Sequence, residues 1–164
     1  MAVLTVRTVP DPVLRRKGKR VTKIDPKISK LIDDMLETLP AVQGVGLAAP
    51  QVGVSLQVAV IQIADEEEPI VLVNPEVVKR AGLRMVSEAC LSIPGYKGDI
   101  RRSNSVLVKA RNRFGKEFRL KGTGLLGQAL EHEIDHLNGV LYIDHVEGPE
   151  DLQRVEADEE EQDL

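Results

Sequence analysis

His132-Glu133-Ile134-Asp135-His136 is the stretch of this sequence best equipped for chemistry. Two imidazoles four residues apart on a helix face the same side, near enough to share one metal ion. Glu133 falls at the edge of that sector. There a carboxylate can take a proton from a water polarised by the ion without itself being a ligand. Stepping about 100° per residue gathers Leu125, Ala129, His132, Glu133 and His136 into one sector. Leu126, Leu130, Ile134 and Leu137 fill a second, and Gly124, Gln128, Glu131, Asp135 and Asn138 form a polar stripe. Two sectors are open to burial, so this helix should lie within the domain, not on its skin. Two hydrogen-bonded structural histidines are the ordinary alternative. Against it, the chain has three histidines in all and places two of them this way.

Two histidines leave a tetrahedral catalytic site one protein ligand short. Acids and the single cysteine, Cys90, are the candidates. In Glu88-Ala89-Cys90-Leu91-Ser92, period two puts Glu88, Cys90 and Ser92 on one face of a strand. A thiolate there would suit iron, cobalt, nickel or zinc. A buried inert thiol is the commoner fate of a lone cysteine, and spacing alone leaves both readings open.

The elements that must carry these residues read as an α+β domain of mostly antiparallel strands around a central helix. That helix runs over 123–138, and Gly139 ends it at a position suited to a left-handed cap. An earlier amphipathic helix spans 27–39, with Pro26 at its start and Pro40 ending it. Strands are expected over 54–63 and 70–73, separated by an acidic turn at 65–68. The segment 76–92 is strand-rich, with a turn at Ala81-Gly82, and 106–111 pairs with 117–120 in a hairpin. Residues 1–25 read as irregular.

The chain of 164 residues carries a net charge of −4, but residues 147–164 hold nine acids against the single base Arg154. Residues 1–146, the expected catalytic domain, are therefore net +4. The tail 147–164 is expected to form at most a short helix from Pro149 and then to fray. Four aromatic residues and no Trp argue against a reader of single-stranded nucleic acid built on aromatic stacking, and no specific DNA partner is expected. One cysteine excludes an intramolecular disulfide and fits a reducing compartment. No secretory signal or bilayer-length apolar run is legible, so the expectation is a cytoplasmic protein with no membrane partner.

Three segments resemble the signature motifs of peptide deformylases. They are Gly44-Val45-Gly46-Leu47-Ala48-Ala49-Pro50-Gln51, Glu88-Ala89-Cys90-Leu91-Ser92 and Glu131-His132-Glu133-Ile134-Asp135-His136-Leu137. Their order and separations match as well, over residues 6–146. The resemblance implies an enzyme that removes the N-formyl group of the initiator formyl-methionine from nascent polypeptides, releasing formate. It implies one divalent ion per chain held by Cys90, His132 and His136, natively Fe2+, with Zn2+, Ni2+ or Co2+ able to take its place. It assigns Glu133 as the general base and gives the oxyanion two donors, the Gln51 side chain and the Leu91 amide. Its partners would be N-formyl-Met peptides, with a transient ribosome contact.

Other roles follow from the residues. A selective site needs an apolar slot for methionine, for which Val45, Gly46, Leu125 and Ala129 are candidates. Plain core packing is an equal explanation of Leu125 and Ala129. Glu88 is placed to accept an imidazole N–H and orient a ligand. Asp135 should pair with an arginine, Arg102 being the candidate, and His145 should be a surface residue. Ala89 and Glu131 depart from the motifs, which usually carry Gly and Gln there, and neither departure removes a ligand, base or donor. Some bacterial members dock to the ribosome through a basic C-terminal helix. The acidic tail argues against that mode here and favours the basic stretch 7–30. The rivals are another HExxH metal-dependent amidase or peptidase, and a binding module with a relic metal site. Glu133 and Gln51 count against the second, because a mere binder needs neither.

Overall fold

Apolar sectors of the second helix and the period-two strands select each other in the computed structural model, which describes residues 2–155. Helix α1 (Pro26–Ala41) opens on Asp25, whose carboxylate accepts the Ile28 N–H at 3.0 Å. Next come strands β1 (Gly46–Ala48), β2 (Val58–Ile61), β3 (Ile70–Ala81), β4 (Arg84–Cys90), β5 (Ile93–Arg102), β6 (Ser105–Arg111) and β7 (Glu117–Thr123). Helix α2 (Gly124–Leu137) follows, and β8 (Leu152–Arg154) is the last element. The larger sheet has the order β1-β2-β3-β6-β7 and the smaller β4-β5-β8, and all their ladders are antiparallel.

The larger sheet covers one side of α2. Val106, Val108 and Ala110 alternate with exposed or half-buried neighbours along β6 and pack with Ala129, Leu130, Ile134 and Leu137. Gly127 brings α2 against β7, since a Cβ there would stand 2.9 Å from the Gly122 carbonyl oxygen. The far end of α2 is held by the Gly18 N–H and by Gln57 Nε2, both donating to the Leu137 carbonyl at 2.8 Å. A second apolar cluster joins α1, through Ile32, Met35 and Leu39, to Val58, Val60 and Val73.

The smaller sheet lies along the polar stripe of α2, so the helix is enclosed on a third side that periodicity had left to solvent. Gln128 donates to the Ser87 carbonyl, and Glu131 accepts from the Ser103 N–H at 2.8 Å. Pro40 sits inside the last turn of α1 instead of ending it before residue 40. Its missing N–H costs one bond, and the Val42 N–H still closes the turn on the Thr38 carbonyl at 3.0 Å. The strand expected over 54–63 is confined to Val58–Ile61, while the one expected over 70–73 continues to Ala81 past irregularities near Asn74. The strand-rich stretch 76–92 divides at Gly82 (φ 70°) between β3 and β4, which belong to different sheets. β5 was not anticipated. Residues 149–151 make a single 3-10 turn, and Leu152–Arg154 pairs with Tyr96–Gly98 as an added edge strand. The fraying expected of the final acidic residues falls on 156–164, outside the described residues.

Candidate active site

Strand β4 and helix α2 bring Cys90, His132 and His136 together, all buried. The Nε2 atoms of the two histidines are 3.2 Å apart, and Cys90 Sγ is 3.3 Å from His136 Nε2. Donors around one tetrahedral ion, with bonds of about 2.0–2.1 Å to nitrogen and 2.3 Å to sulfur, sit roughly 3.3–3.6 Å from each other. The spacing therefore suits a single cation. Two imidazole lone pairs cannot face each other at this distance unless a proton or a cation lies between them. Among the described residues, these three form the metal-ligand cluster of the chain.

Charges behind the ligands set their state. His132 Nδ1 is 2.7 Å from Glu88 Oε1, which fixes the ring with Nε2 turned to the centre. Burial works against a charge on His132, but Cys90 and Glu88 outweigh it and hold its pKa well above the ordinary value. Burial, reinforced by the neighbouring His132, pushes His136 well below its ordinary value, so that ring offers a neutral lone pair. Glu88 is held by Arg102, which donates from Nε at 2.7 Å and Nη2 at 2.9 Å. Burial alone would raise the Glu88 pKa, but the Arg102 and His132 hydrogen bonds bring it down to about 2.

Glu133 differs from every other acid here. It is fully buried, and neither carboxylate oxygen has a hydrogen-bond partner. Burial, with the negative charges of Glu88 and Asp135 adding to it, raises its pKa to about 7. A buried carboxylate lacking partners is costly unless something else supplies them, and a water or substrate group is the fitting partner. β1 makes room for it, because a Cβ on Gly46 would overlap Glu133 Oε2 and stand 2.9 Å from Cδ. Only glycine at 46 leaves the carboxylate where it is.

Gln51 lies in a 3-10 turn directly after β1, with Oε1 fixed by the Ala48 N–H at 3.0 Å. Its Nε2 donates to Ser92 Oγ at 3.1 Å and stands 3.7 Å from Cys90 Sγ, so the amide donor faces the centre. Leu91 follows Cys90 directly, and its side chain lies across from Gly44, where a Cβ would meet Cδ1 at 3.0 Å. The first two motifs thus meet each other beside the ligands, through Gln51 and Ser92 and through Gly44 and Leu91. Val45 and Ala129 are buried in one apolar cluster, whereas Leu125, in the first turn of α2, is 44% exposed.

Three contacts around the ligands went unread in the sequence. Arg102 reaches Asp135 with Nη1 at 2.7 Å, as pairing suggested, but its bidentate hold on Glu88 was missed. His145, expected as a surface residue, is partly exposed but places Nε2 2.9 Å from Asp135 Oδ2. The Tyr142 ring stacks against His132 with centroids 6.4 Å apart. No local spacing signals these contacts, since they join positions 10 to 33 residues apart. Glu131 anchors Ser103 and Arg80, a packing role away from the ligands.

A Cys/His/His cluster spaced for one cation, beside a buried carboxylate without partners, is the arrangement of a metal-dependent hydrolase. The model of the polypeptide deformylase family matches residues 3–151. The peptide deformylase of Dehalococcoides mccartyi (strain CBDB1) is 51% identical over 160 residues, 98% of this chain and 96% of that protein. The crystal structure of a Legionella pneumophila peptide deformylase superposes with a TM-score of 0.88 at 46% identity, covering 92% of this chain and 89% of that one. A class I type b peptide deformylase of Acinetobacter baumannii, solved with Met-Ala-Ser bound, gives 0.84 at 29% identity, covering 88% and 99%. The chain belongs to the polypeptide deformylase family, α+β metallohydrolases that remove the N-formyl group from nascent polypeptides. Another type of HExxH amidase or peptidase is not favoured.

Proposed function

We propose that this chain hydrolyses the formyl-methionine terminus of nascent polypeptides with Glu133 as its proton carrier. The observation that carries this reading is the buried, unpartnered Glu133 carboxylate held beside Cys90, His132 and His136. Cys90, His132 and His136 would hold a divalent ion, which when bound would supply Lewis acidity and bring a water's pKa towards neutrality. Glu133 takes the proton of the attacking water as the C–O bond forms at the formyl carbon. It then delivers that proton to the departing amine nitrogen, so formate and a free methionine amine result. The Gln51 side chain and the Leu91 N–H donate to the oxygen as it gains charge. Arg102 and Glu88 keep His132 in the ligating orientation throughout.

The Met-Ala-Ser peptide bound to the Acinetobacter relative supports a methionine-first peptide as the product. Val45, Gly46 and Ala129 are the residues offered for the methionine side, with Leu125 at the more open rim. Fe2+ is the proposed native ion, as the resemblance to the family implies, and a thiolate with two imidazoles is also compatible with zinc, nickel or cobalt. The thiol ligand also fits a reducing, cytoplasmic setting, and no helix among the described residues is long and apolar enough to cross a membrane. A transient ribosome contact completes the proposal.

Anaerobically iron-loaded protein should release formate from an N-formyl-Met peptide and leave the N-acetyl twin intact. Equal turnover of both, or none with metal confirmed bound, would reject the assignment. The iron form should decay in air while a nickel form persists, and equal lifetimes would remove iron as the working ion.

A further inference from the structure

Three shallow hollows of about 430, 420 and 290 Å³ lie side by side, and Arg20 lines every one of them. Asn74 and Glu76 are shared by the first and third, and Arg111 by the second and third, so the hollows form one groove. Val73 stands at one end of it and Arg80 at the other, about 23 Å apart along β3. Its walls carry Lys17, Arg20, Lys23, Arg80, Lys109 and Arg111 against Glu76 and Glu117. That is an excess of four positive charges, equal to the whole net charge of residues 1–146. The rest of the body is electrically balanced.

Arg80 pairs with Glu131 and Lys109 with Glu117. Lys17, Arg20, Lys23 and Arg111 have no carboxylate partner among the described residues, and Arg111 donates only to the Gly115 carbonyl. Exposed guanidinium groups without carboxylate partners along a long groove suit phosphate oxygens, which they bind as a fork. Phe114, 85% exposed beside Arg111, adds one ring on which a base can stack. The substrates of the family are nascent polypeptides, so RNA is the polyanion surrounding them.

We propose that this groove binds the phosphate backbone of RNA without regard to sequence, through Lys17, Arg20, Lys23 and Arg111. None of the four belongs to the hydrolytic centre, so the surface acts in recruitment and leaves formyl hydrolysis to Glu133 and its neighbours.

The test is fluorescence anisotropy of the full chain with a labelled 20-nucleotide single-stranded RNA from 50 to 300 mM salt. Three to four released counterions should give a log–log salt slope of about −2 to −3. Charge reversals Arg20→Glu and Arg111→Glu together should weaken binding at least tenfold and flatten the slope by about 1.4. Phe114→Ala should weaken it with no change in slope. Hydrolysis of a short formyl-Met peptide, measured on the same samples, should stay within twofold of the parent and so report intact folding. Should the double reversal leave formyl hydrolysis intact and RNA affinity unchanged, the groove is not the site. No binding by the parent at 50 mM salt would overturn the proposal, as would polyglutamate displacing the RNA more effectively than unlabelled RNA does. Either result would leave the hydrolytic reading standing.

Discussion

At the scale of single residues, Gly46 and Glu133 act as a pair. The sequence offers this glycine to the methionine slot, yet a Cβ there would meet the carboxylate of the proposed base. Gly46→Ala should displace the Glu133 carboxylate and lower kcat by a hundredfold or more, while bound metal per chain stays near one. Loss of metal instead would show that residue 46 supports the ligands. Gln51 makes a different prediction, because its Nε2 is one of the two donors proposed for the formyl oxygen as it gains charge. Gln51→Ala should cost about 2.7–4 kcal/mol in transition-state stabilisation, a fall of roughly 10²–10³ in kcat. Residual activity should persist through the Leu91 N–H. A variant as inactive as Glu133→Ala would mean that Gln51 does more than donate.

At the scale of elements, α2 and β4 divide the work, and this division was only partly legible. Period 3.6 placed His132, Glu133 and His136 on one face, and period two placed Glu88 and Cys90 on another. Contacts between the two elements follow from tertiary packing and leave no trace in either pattern. Arg102 is the clearest case. It ends β5, a strand hidden by Pro94, Gly95 and Gly98 and by the charged run Lys97, Asp99 and Arg101. Pairing with β4 holds it in strand form where propensity would not. β1 was hidden for another reason, since three residues, all buried, are too few to show a period. From Arg102 the chain of contacts runs to Glu88 and His132 on one side and to Asp135 and His145 on the other. Breaking it within β5 should therefore loosen the metal held by α2. Arg102→Met, which keeps the bulk, should weaken metal binding about 10–100-fold in a chelator competition. His145→Phe, at the partly exposed end, should change affinity by less than threefold. If the two variants lost metal equally, the outer half of the chain would matter as much as the inner.

At the scale of the whole molecule, the acid limit of stability rests on the buried ion pair that joins β4 to β5. Arg102 and Glu88 are both buried, so each depends on the other for its solvation. The folded Glu88 carboxyl has a pKa of about 2, below the ordinary value of 4.5, because its hydrogen bonds to Arg102 and His132 outweigh the cost of burial. A lowered folded-state value means that unfolding takes up a proton wherever pH lies between the two values. The stabilisation is therefore complete above about pH 4.5 and drains away as pH falls towards 2, by an amount on the order of 3 kcal/mol. Metal would add its own competition with protons, so the measurement belongs in excess chelator. Urea midpoints of the metal-free chain should drop steeply from pH 5 to pH 3. Glu88→Gln should begin less stable at pH 6, because Arg102 then loses its buried counter-charge, and should show a shallower decline. Parallel declines in the two proteins would place the acid sensitivity elsewhere, with Asp144 the next acid to examine, since its bond to Arg15 also lowers its pKa despite partial burial.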